Sequence, residues 1–328
     1  MTSWPLDWRE LVNEAIRRRR AEGLTQRSLA ALAGVSAPTV NAFERGDTRL
    51  RLEKVIAILE VLGLIVLPGA PDSLPAFAQA ARRRWNELVE PLAADDPARQ
   101  PLGHVEHLYA VDGLAYAGTL GQLREILSGL PKTSGWPPFW VPTQEAIRPV
   151  VREGLIECWL GRPGAERVFK DAAYSDFWQV GSDLKAYLQR GHQEDGSDTL
   201  EPGTFFDLTL PIWRTAEVLL HASHLVERLN GDPGSSIAYN SRYTGLEGRE
   251  LVAWANPRLR HDISRRHVAR TSRIDLSVAT TVRAIASDLE EVIHGCLSPL
   301  YDQFDGFELT PALVAAVMSD MRLAGFRR

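Results

Sequence analysis

The strongest constraint on the fold is the spacing of capping and turn residues in the segment 23–46, GLTQRSLAALAGVSAPTVNAFERG. Thr25 and Ser36 are residue types that cap helix N-termini, and Pro38 is tolerated in the first turn of a helix. Gly34 stands where a sharp turn between two helices requires a positive φ. The segment therefore predicts two short helices, capped by Thr25 and Ser36 and joined by a tight turn.

Further helices are predicted on both sides of this pair. Residues 8–20 and 51–62 each carry apolar side chains at helical spacing. Four arginines, at 17–20, close the first of these helices. They fit either a solvated helix end that matches the helix dipole or a set of phosphate contacts, and both interpretations stay open.

The segment 23–46 resembles the helix-turn-helix of the Cro/C1-type (XRE) family. Residues that fall in register with the family pattern are Thr25-Gln26, Leu29-Ala30, Gly34-Val35-Ser36, Val40 and Glu44-Arg45-Gly46. Ser28 departs from it, because a capping-box acid is common at that position and its loss weakens one cap. The resemblance implies an all-α DNA-binding domain of four or five helices over residues 1–67.

The resemblance also implies which residues contact duplex DNA. In such domains the third helix enters the major groove and presents its first turns to base edges. The residues at the matching positions, which we expect at the bases, are Ser36, Ala37, Pro38, Thr39, Asn41 and Ala42. Those expected at the phosphate backbone are Gln26, Arg27, Arg45 and Arg49. Arg45 has an alternative role, an ion pair with Glu44 or with a neighbouring helix.

The uneven distribution of charge reconciles an acidic chain with a DNA partner. The formal net charge is −5, but residues 1–67 hold ten Arg or Lys against eight Asp or Glu, a net of +2. The remainder therefore carries −7. Because DNA affinity depends on local phosphate contacts, this balance does not exclude DNA binding.

Cysteine and histidine usage predicts neither a metal site nor a disulfide framework. The two cysteines, Cys158 and Cys296, are far apart, which fits a reducing cytoplasm. The pairs His104/His107 and His221/His224 lack the further ligands of a metal motif, so we expect core or surface histidines. No membrane span, cofactor-binding fingerprint or catalytic motif is recognised, so we expect no membrane association, no cofactor and no enzymatic activity.

The rest of the chain predicts a helical connector, residues 68–132, and a larger α+β domain, residues 133–328. Proline and glycine mark the start of the connector, which contains predicted helices at 76–90 and 120–127. Within the α+β domain, strands are predicted at 155–160, 177–180 and 186–188, with two more in 235–255. Helices are predicted at 212–229, 275–297 and 311–325.

Two apolar patterns in this region have more than one interpretation. An a/d stripe from Val278 to Cys296 indicates either a helix buried within the domain or an exposed dimer helix. A set of aromatic residues predicts mainly core, with a ligand pocket as the alternative. The set is Trp136, Phe139, Trp140, Trp159, Trp178 and Trp213.

An arginine-rich stretch stands out in the acidic domain. Residues 256–273, NPRLRHDISRRHVARTSR, contain six arginines against one acid. They indicate either a solvated face with ion pairs to other parts of the domain or an anion site for a nucleic acid or phosphorylated ligand. Arg265, Arg266 and Arg270 are the candidates for the anion site.

These features together predict a sequence-specific transcriptional regulator. We expect double-stranded DNA as its partner, a cytoplasmic homodimer as its functional unit, and a C-terminal domain that senses a small molecule, a nucleotide or a protein. Two other classes stay open: an antitoxin-like autoregulator, and an effector enzyme directed to DNA by its helix-turn-helix.

Overall fold

The N-terminal region forms the helices that the capping residues predict. The computed structural model describes residues 7–65, 73–133, 137–163 and 175–325. Its first helices are α1 (Trp8–Ala21), α2 (Gln26–Leu32), α3 (Ala37–Glu44) and α4 (Leu52–Val61). The Thr25 side chain accepts a hydrogen bond from the backbone N–H of Ser28, and the Ser36 side chain accepts one from Thr39, so both caps are confirmed. Gly34, with φ of 63°, makes the turn between α2 and α3.

An apolar core holds these helices together. Leu29 on α2, Phe43 on α3 and Ile58 on α4 are all buried. The Trp8 ring lies edge-on to Phe43, with 5.6 Å between ring centroids, and its Nε1 donates a hydrogen bond to the carbonyl of Gly46 at 3.0 Å. These contacts fix α1 against α3 and so hold α3 in one orientation within the domain.

A seven-stranded antiparallel sheet forms the centre of the remaining chain. Its strands are β1 (His104–Val111), β2 (Val150–Arg152), β3 (Leu155–Trp159), β4 (Phe177–Gly181), β5 (Ala186–Gly191), β7 (Ser236–Thr244) and β9 (Arg273–Thr281). The strand order is β2-β3-β4-β5-β1-β7-β9. A separate parallel pair joins β6 (Phe205–Asp207) to β8 (Glu250–Val252).

Both faces of the large sheet are covered by helices. Because side chains alternate along a strand, Val105 and Tyr109 of β1 enter one core and Leu108 enters the other. Helix α5 (Leu74–Val89) covers the Leu108 face, where Trp85 packs 5.7 Å from Phe177. The opposite face is covered by α7 (Leu210–Arg228) and α8 (Val282–Asp302). Helices α6 (Leu120–Ser128) and α9 (Pro311–Gly325) pack against α7.

This architecture confirms an all-α N-terminal domain followed by a larger α+β region. The predicted connector, residues 68–132, differs from the structure. It contains β1, which lies inside the sheet between β5 and β7. The charged residue Glu106 interrupts the apolar pattern of this strand, and it is buried because Arg82 of α5 donates hydrogen bonds to its carboxylate. The predicted boundary at 67–68 lies outside the described residues.

The helix predicted at 275–297 is wrong in its first part. Residues 273–281 form β9, and Thr281 then caps α8 by accepting a hydrogen bond from the N–H of Ala284. Val278, Thr280 and Thr281 are β-branched, and residues of this type favour a strand over a helix. Ile285, Leu289 and Cys296 of α8 are buried within the chain, so the structure supports the buried-helix interpretation of the apolar stripe.

Candidate nucleic-acid interface

A polar network ties the start of α2 to the middle and end of α3. Arg19 pairs with the carboxylate of Glu44 and donates from Nη1 to the carbonyl of Leu24 at 2.7 Å. Gln26 donates from Nε2 to Glu44 at 2.7 Å, and Asn41 donates from Nδ2 to Gln26 Oε1 at 3.4 Å. Burial alone would raise the pKa of Glu44, but hydrogen bonds from Arg19 and Gln26 lower it below its ordinary value. Glu44 is therefore held as a carboxylate that fixes the angle between the helices.

This network assigns roles that the sequence did not reveal. Of the four arginines at 17–20, Arg19 points to Glu44, a partner 25 residues away along the chain. Glu44 is therefore paired with Arg19, whereas the sequence offered Arg45 as its partner. Arg45 itself is exposed. A pair this distant in sequence carries no local signal, which explains why sequence reasoning missed it.

The predicted base-contacting residues differ in their accessibility. Ser36 and Pro38 are exposed at the start of α3, and Ala37 and Asn41 are half-buried. Thr39 is only 8% exposed, and its hydroxyl lies 2.8 Å from that of Ser36. A base contact by Thr39 stays a prediction.

The predicted phosphate-contacting arginines differ in their present partners. Arg49 donates from Nε and Nη2 to the carboxylate of Asp47, each at 3.0 Å. The hydrogen bonds from Arg49 lower the pKa of Asp47 to about 2. Arg27 and Arg45 are exposed, and their side chains make no ion pair within the part of the chain that the structure describes. These two cations are thus the ones most available to phosphates.

Comparison with known families agrees with this geometry. The helix-turn-helix family model matches residues 16–65, which span the end of α1 through α4. Residues 16–65 are a Cro/C1-type helix-turn-helix domain. The match supports a DNA-binding role for the helix-turn-helix domain. No curated protein matches the chain significantly, and no family model matches the C-terminal region.

The helix-turn-helix domain packs on the rest of the chain through α2 and α4 against β2 and through α4 against α6, and two polar attachments add to this packing. Glu22, after α1, accepts a hydrogen bond at 3.2 Å from the hydroxyl of Thr119, the residue that caps α6. Glu60 of α4 is buried beside the β2–β3 turn. Burial raises the pKa of Glu60, and hydrogen bonds from the backbone of Gly154 and Glu153 oppose that rise. Both attachments leave the exposed start of α3 uncovered.

The three candidate arginines of the arginine-rich stretch already have partners within the domain, and two of them contact the same residue, Asp305. Arg266 donates to Glu250 at 2.7 Å, and Arg270 donates to Asp305 at 2.7 Å. Arg265 donates to the backbone carbonyl of Asp305 at 3.4 Å. Both ion pairs are on the surface, where Arg266 and Arg270 are 71% and 73% exposed. An anion site here stays a prediction, in which an incoming anion competes with the two carboxylates.

Charge reversal tests this predicted anion site. Replacing both Arg266 and Arg270 with glutamate is expected to change the melting temperature little, because exposed ion pairs contribute only about 0–1 kcal/mol each. If the arginines hold operator phosphates, the same change weakens DNA binding measured by fluorescence anisotropy. The control carries the same charge change at the exposed Arg83 and Arg283. A large fall in melting temperature with unchanged DNA affinity would assign these arginines a structural role.

The histidine pairs lie largely inside the protein. His107 and His221 are buried, and burial lowers the pKa of each to about 3, so both are neutral at physiological pH. Within the described ranges, no group of three or more His, Cys, Asp or Glu side chains is arranged to hold a metal ion. No helix in those ranges combines the length and apolar character needed to cross a membrane.

Proposed function

We propose that this protein is a sequence-specific transcriptional regulator that binds duplex DNA through its helix-turn-helix domain. The observation that carries the proposal is the family match at residues 16–65, together with the exposed start of α3. In the proposed complex, Ser36 and Pro38 face the major groove, and the exposed side chains of Arg27 and Arg45 contact the phosphates on either side. The C-terminal region serves dimerisation and signal sensing, and the protein works in the cytoplasm by binding, without catalysis.

Binding to an operator is the direct test of this proposal. Regulators of this kind often recognise DNA near their own genes, so the first probe is the upstream region of the gene that encodes this chain. The expected dissociation constant is in the nanomolar range, about 10⁻⁸ M or below, with much weaker binding to random DNA. A gel shift with non-specific competitor measures both values. Equal affinity for random DNA would contradict sequence-specific regulation.

The Asn41→Ala variant tests whether this single residue contributes to sequence recognition. Asn41 is half-buried on α3, and asparagine can form two hydrogen bonds with an adenine edge. The substitution is expected to reduce the ratio of operator affinity to random-DNA affinity. The affinity for random DNA itself should change less. Asn41 also donates to Gln26, so a melting curve of the variant serves as the control for folding.

We further propose a homodimer as the functional unit. One recognition helix reads only a half-site, and two-fold related domains place a second helix about one helical turn along the DNA. Multi-angle light scattering is expected to give twice the mass of the chain, free or bound to the operator. A single chain at micromolar concentration, both free and on DNA, would contradict the dimer and leave the DNA-binding proposal to stand on its own test.

A further inference from the structure

A cavity of about 220 Å³ lies beside α7 in the C-terminal region. It is bounded by the C-terminal end of α6, by residues of the segment that follows α6, and by Glu217 and His221 of α7. Its apolar wall includes Leu127, Phe139 and Trp140. An engineered apolar cavity of about 150 Å³ is enough to bind benzene, so this space admits a ring-sized molecule.

Two buried polar atoms at this cavity have no hydrogen-bond partner among the described residues. They are Oε1 of Glu217 and Nε2 of His221. The two residues are one helical turn apart on α7, so they share a face of the helix, and they are only 2% and 7% exposed. Buried polar groups are normally hydrogen-bonded, so two unpartnered atoms at one cavity point to a ligand.

The other contacts of these side chains fix what each free atom can do. Glu217 Oε2 accepts a hydrogen bond from Arg214 Nη1 at 2.7 Å, which holds the carboxylate and leaves Oε1 as an acceptor. His221 Nδ1 lies 3.1 Å from the hydroxyl of Tyr109, which is fully buried. We assign the Tyr109 hydroxyl as the donor to Nδ1, because that arrangement gives its hydrogen an acceptor among the described residues; in this tautomer Nε2 carries the imidazole hydrogen. The cavity thus offers one acceptor and one donor.

The aromatic residues at the cavity hold His221 in place. The Phe139 ring lies 4.6 Å from the imidazole of His221, measured between centroids, and it also contacts Tyr109 and Trp178. Phe139 has a φ of 52°, a backbone conformation that is costly for a bulky side chain. Such strain is concentrated at functional sites. Of the six aromatic residues that the sequence singled out, Phe139 and Trp140 line the cavity and Trp159 and Trp178 are buried, while Trp136 lies outside the described residues.

We propose that this cavity binds an amino-substituted nitrogen heterocycle of the adenine or cytosine type. The edge of such a ring places an amino donor next to a ring-nitrogen acceptor. That edge matches the Glu217 oxygen and the His221 N–H, while the flat ring fits an apolar wall that contains Phe139 and Trp140. A free base, a nucleoside and a nucleotide share this edge, so the chemistry of the base defines the site.

Helix α6 connects the cavity to the helix-turn-helix domain. The inference that a ligand in the cavity regulates DNA binding rests on the proposed function. The C-terminal residues Leu127 and Ser128 of α6 line the cavity. At its other end, Thr119 donates a hydrogen bond to Glu22 of the helix-turn-helix domain. A ligand that shifts α6 would act directly on this attachment, and the ligand would then be the effector of the regulator.

Isothermal titration calorimetry on the full chain tests the site without DNA. Adenine, adenosine and adenosine monophosphate are the probes. The one that binds most tightly identifies whether the ligand is a free base, a nucleoside or a nucleotide. Hypoxanthine is the matched control, because it has nearly the same shape as adenine but carries an acceptor and a donor in the reversed order. Adenine is expected to bind at least about tenfold more tightly, since a mismatched edge leaves buried polar groups unpaired.

Two variants link the binding to this cavity. Glu217→Gln keeps the shape of the side chain but removes its charge, and is expected to weaken adenine binding by about tenfold or more. Thr143→Trp places a bulky ring at an exposed lining residue and is expected to block binding without disturbing the core. Thr199→Trp, at an exposed threonine that does not line the cavity, is the control and should bind as the unchanged chain does.

The outcomes separate this inference from the proposed function. No binding of any adenine probe, equal binding of hypoxanthine, or unchanged binding by Thr143→Trp would overturn the site, even if operator binding is intact. Failure of operator binding would overturn the regulator, even if adenine binds in the cavity. Adenine binding that also changes operator affinity in the unchanged chain, but not in Thr143→Trp, would support both.

Discussion

Replacing both Arg27 and Arg45 with glutamate is expected to lower operator affinity by at least about 100-fold. Both side chains are exposed and make no ion pair within the described residues, so their charges are free to meet phosphates. Phosphate contacts supply much of the affinity of DNA-binding proteins, and like charges brought together at an interface cost several kcal/mol. The change turns two attractions into two repulsions, and fluorescence anisotropy at one fixed salt concentration measures the loss.

Alanine at the same two positions separates phosphate contact from general repulsion. The double alanine variant is expected to bind all sequences more weakly and to reduce the slope of log affinity against log salt by about 2, one for each phosphate that no longer meets an arginine. Arg83 and Arg283, exposed residues outside the helix-turn-helix domain, provide the control with the same charge change. A double glutamate variant that binds the operator as tightly as the unchanged chain would show that α2–α3 is not the DNA-binding surface.

The features that the sequence predicted correctly depend on neighbours in the chain. Thr25 and Ser36 cap their helices by accepting from residues three positions later, and Gly34 supplies a positive φ at a single position. Caps and turns of this kind are decided within a few residues, so sequence alone reveals them. The order of apolar residues in α1 and α4 is also local, which is why the helix-turn-helix domain could be outlined before its structure was known.

The features that the sequence missed depend on residues far apart in the chain. Glu106 interrupts the apolar pattern of β1, and its contacts with Arg82 of α5 and with His104 explain how a charged residue lies inside the sheet. Glu44 finds its partner in Arg19, and the cavity combines Leu127 with His221. Hydrogen bonds and cavities of this kind come from tertiary packing, so no short sequence pattern predicts them. The sequence named six aromatic residues as a possible pocket lining, and two of them, Phe139 and Trp140, line this cavity.

The hydrogen bonds of Arg249 are another long-range feature, and they stabilise the C-terminal region. The guanidinium is fully buried and every N–H has an acceptor. Nε donates to the carbonyl of Gly245 at 2.7 Å, and Nη1 and Nη2 donate to the carboxylate of Asp195, each at 2.7 Å. The remaining hydrogens go to the carbonyls of Phe205 and Leu102, at 2.8 and 2.9 Å. One side chain thus joins four separate segments of the chain.

Replacing Arg249 with methionine is expected to lower the free energy of unfolding by about 3–5 kcal/mol, because the buried Asp195 charge and three carbonyls lose their donors. Urea unfolding followed by tryptophan fluorescence measures the loss. Arg242→Met is the control, since its ion pair with Asp275 is on the surface and should contribute at most about 1 kcal/mol. Adding Asp195→Asn to Arg249→Met removes the unpaired charge and should recover part of the stability. Equal losses for Arg249→Met and Arg242→Met would show that the Arg249 contacts do not hold these segments together.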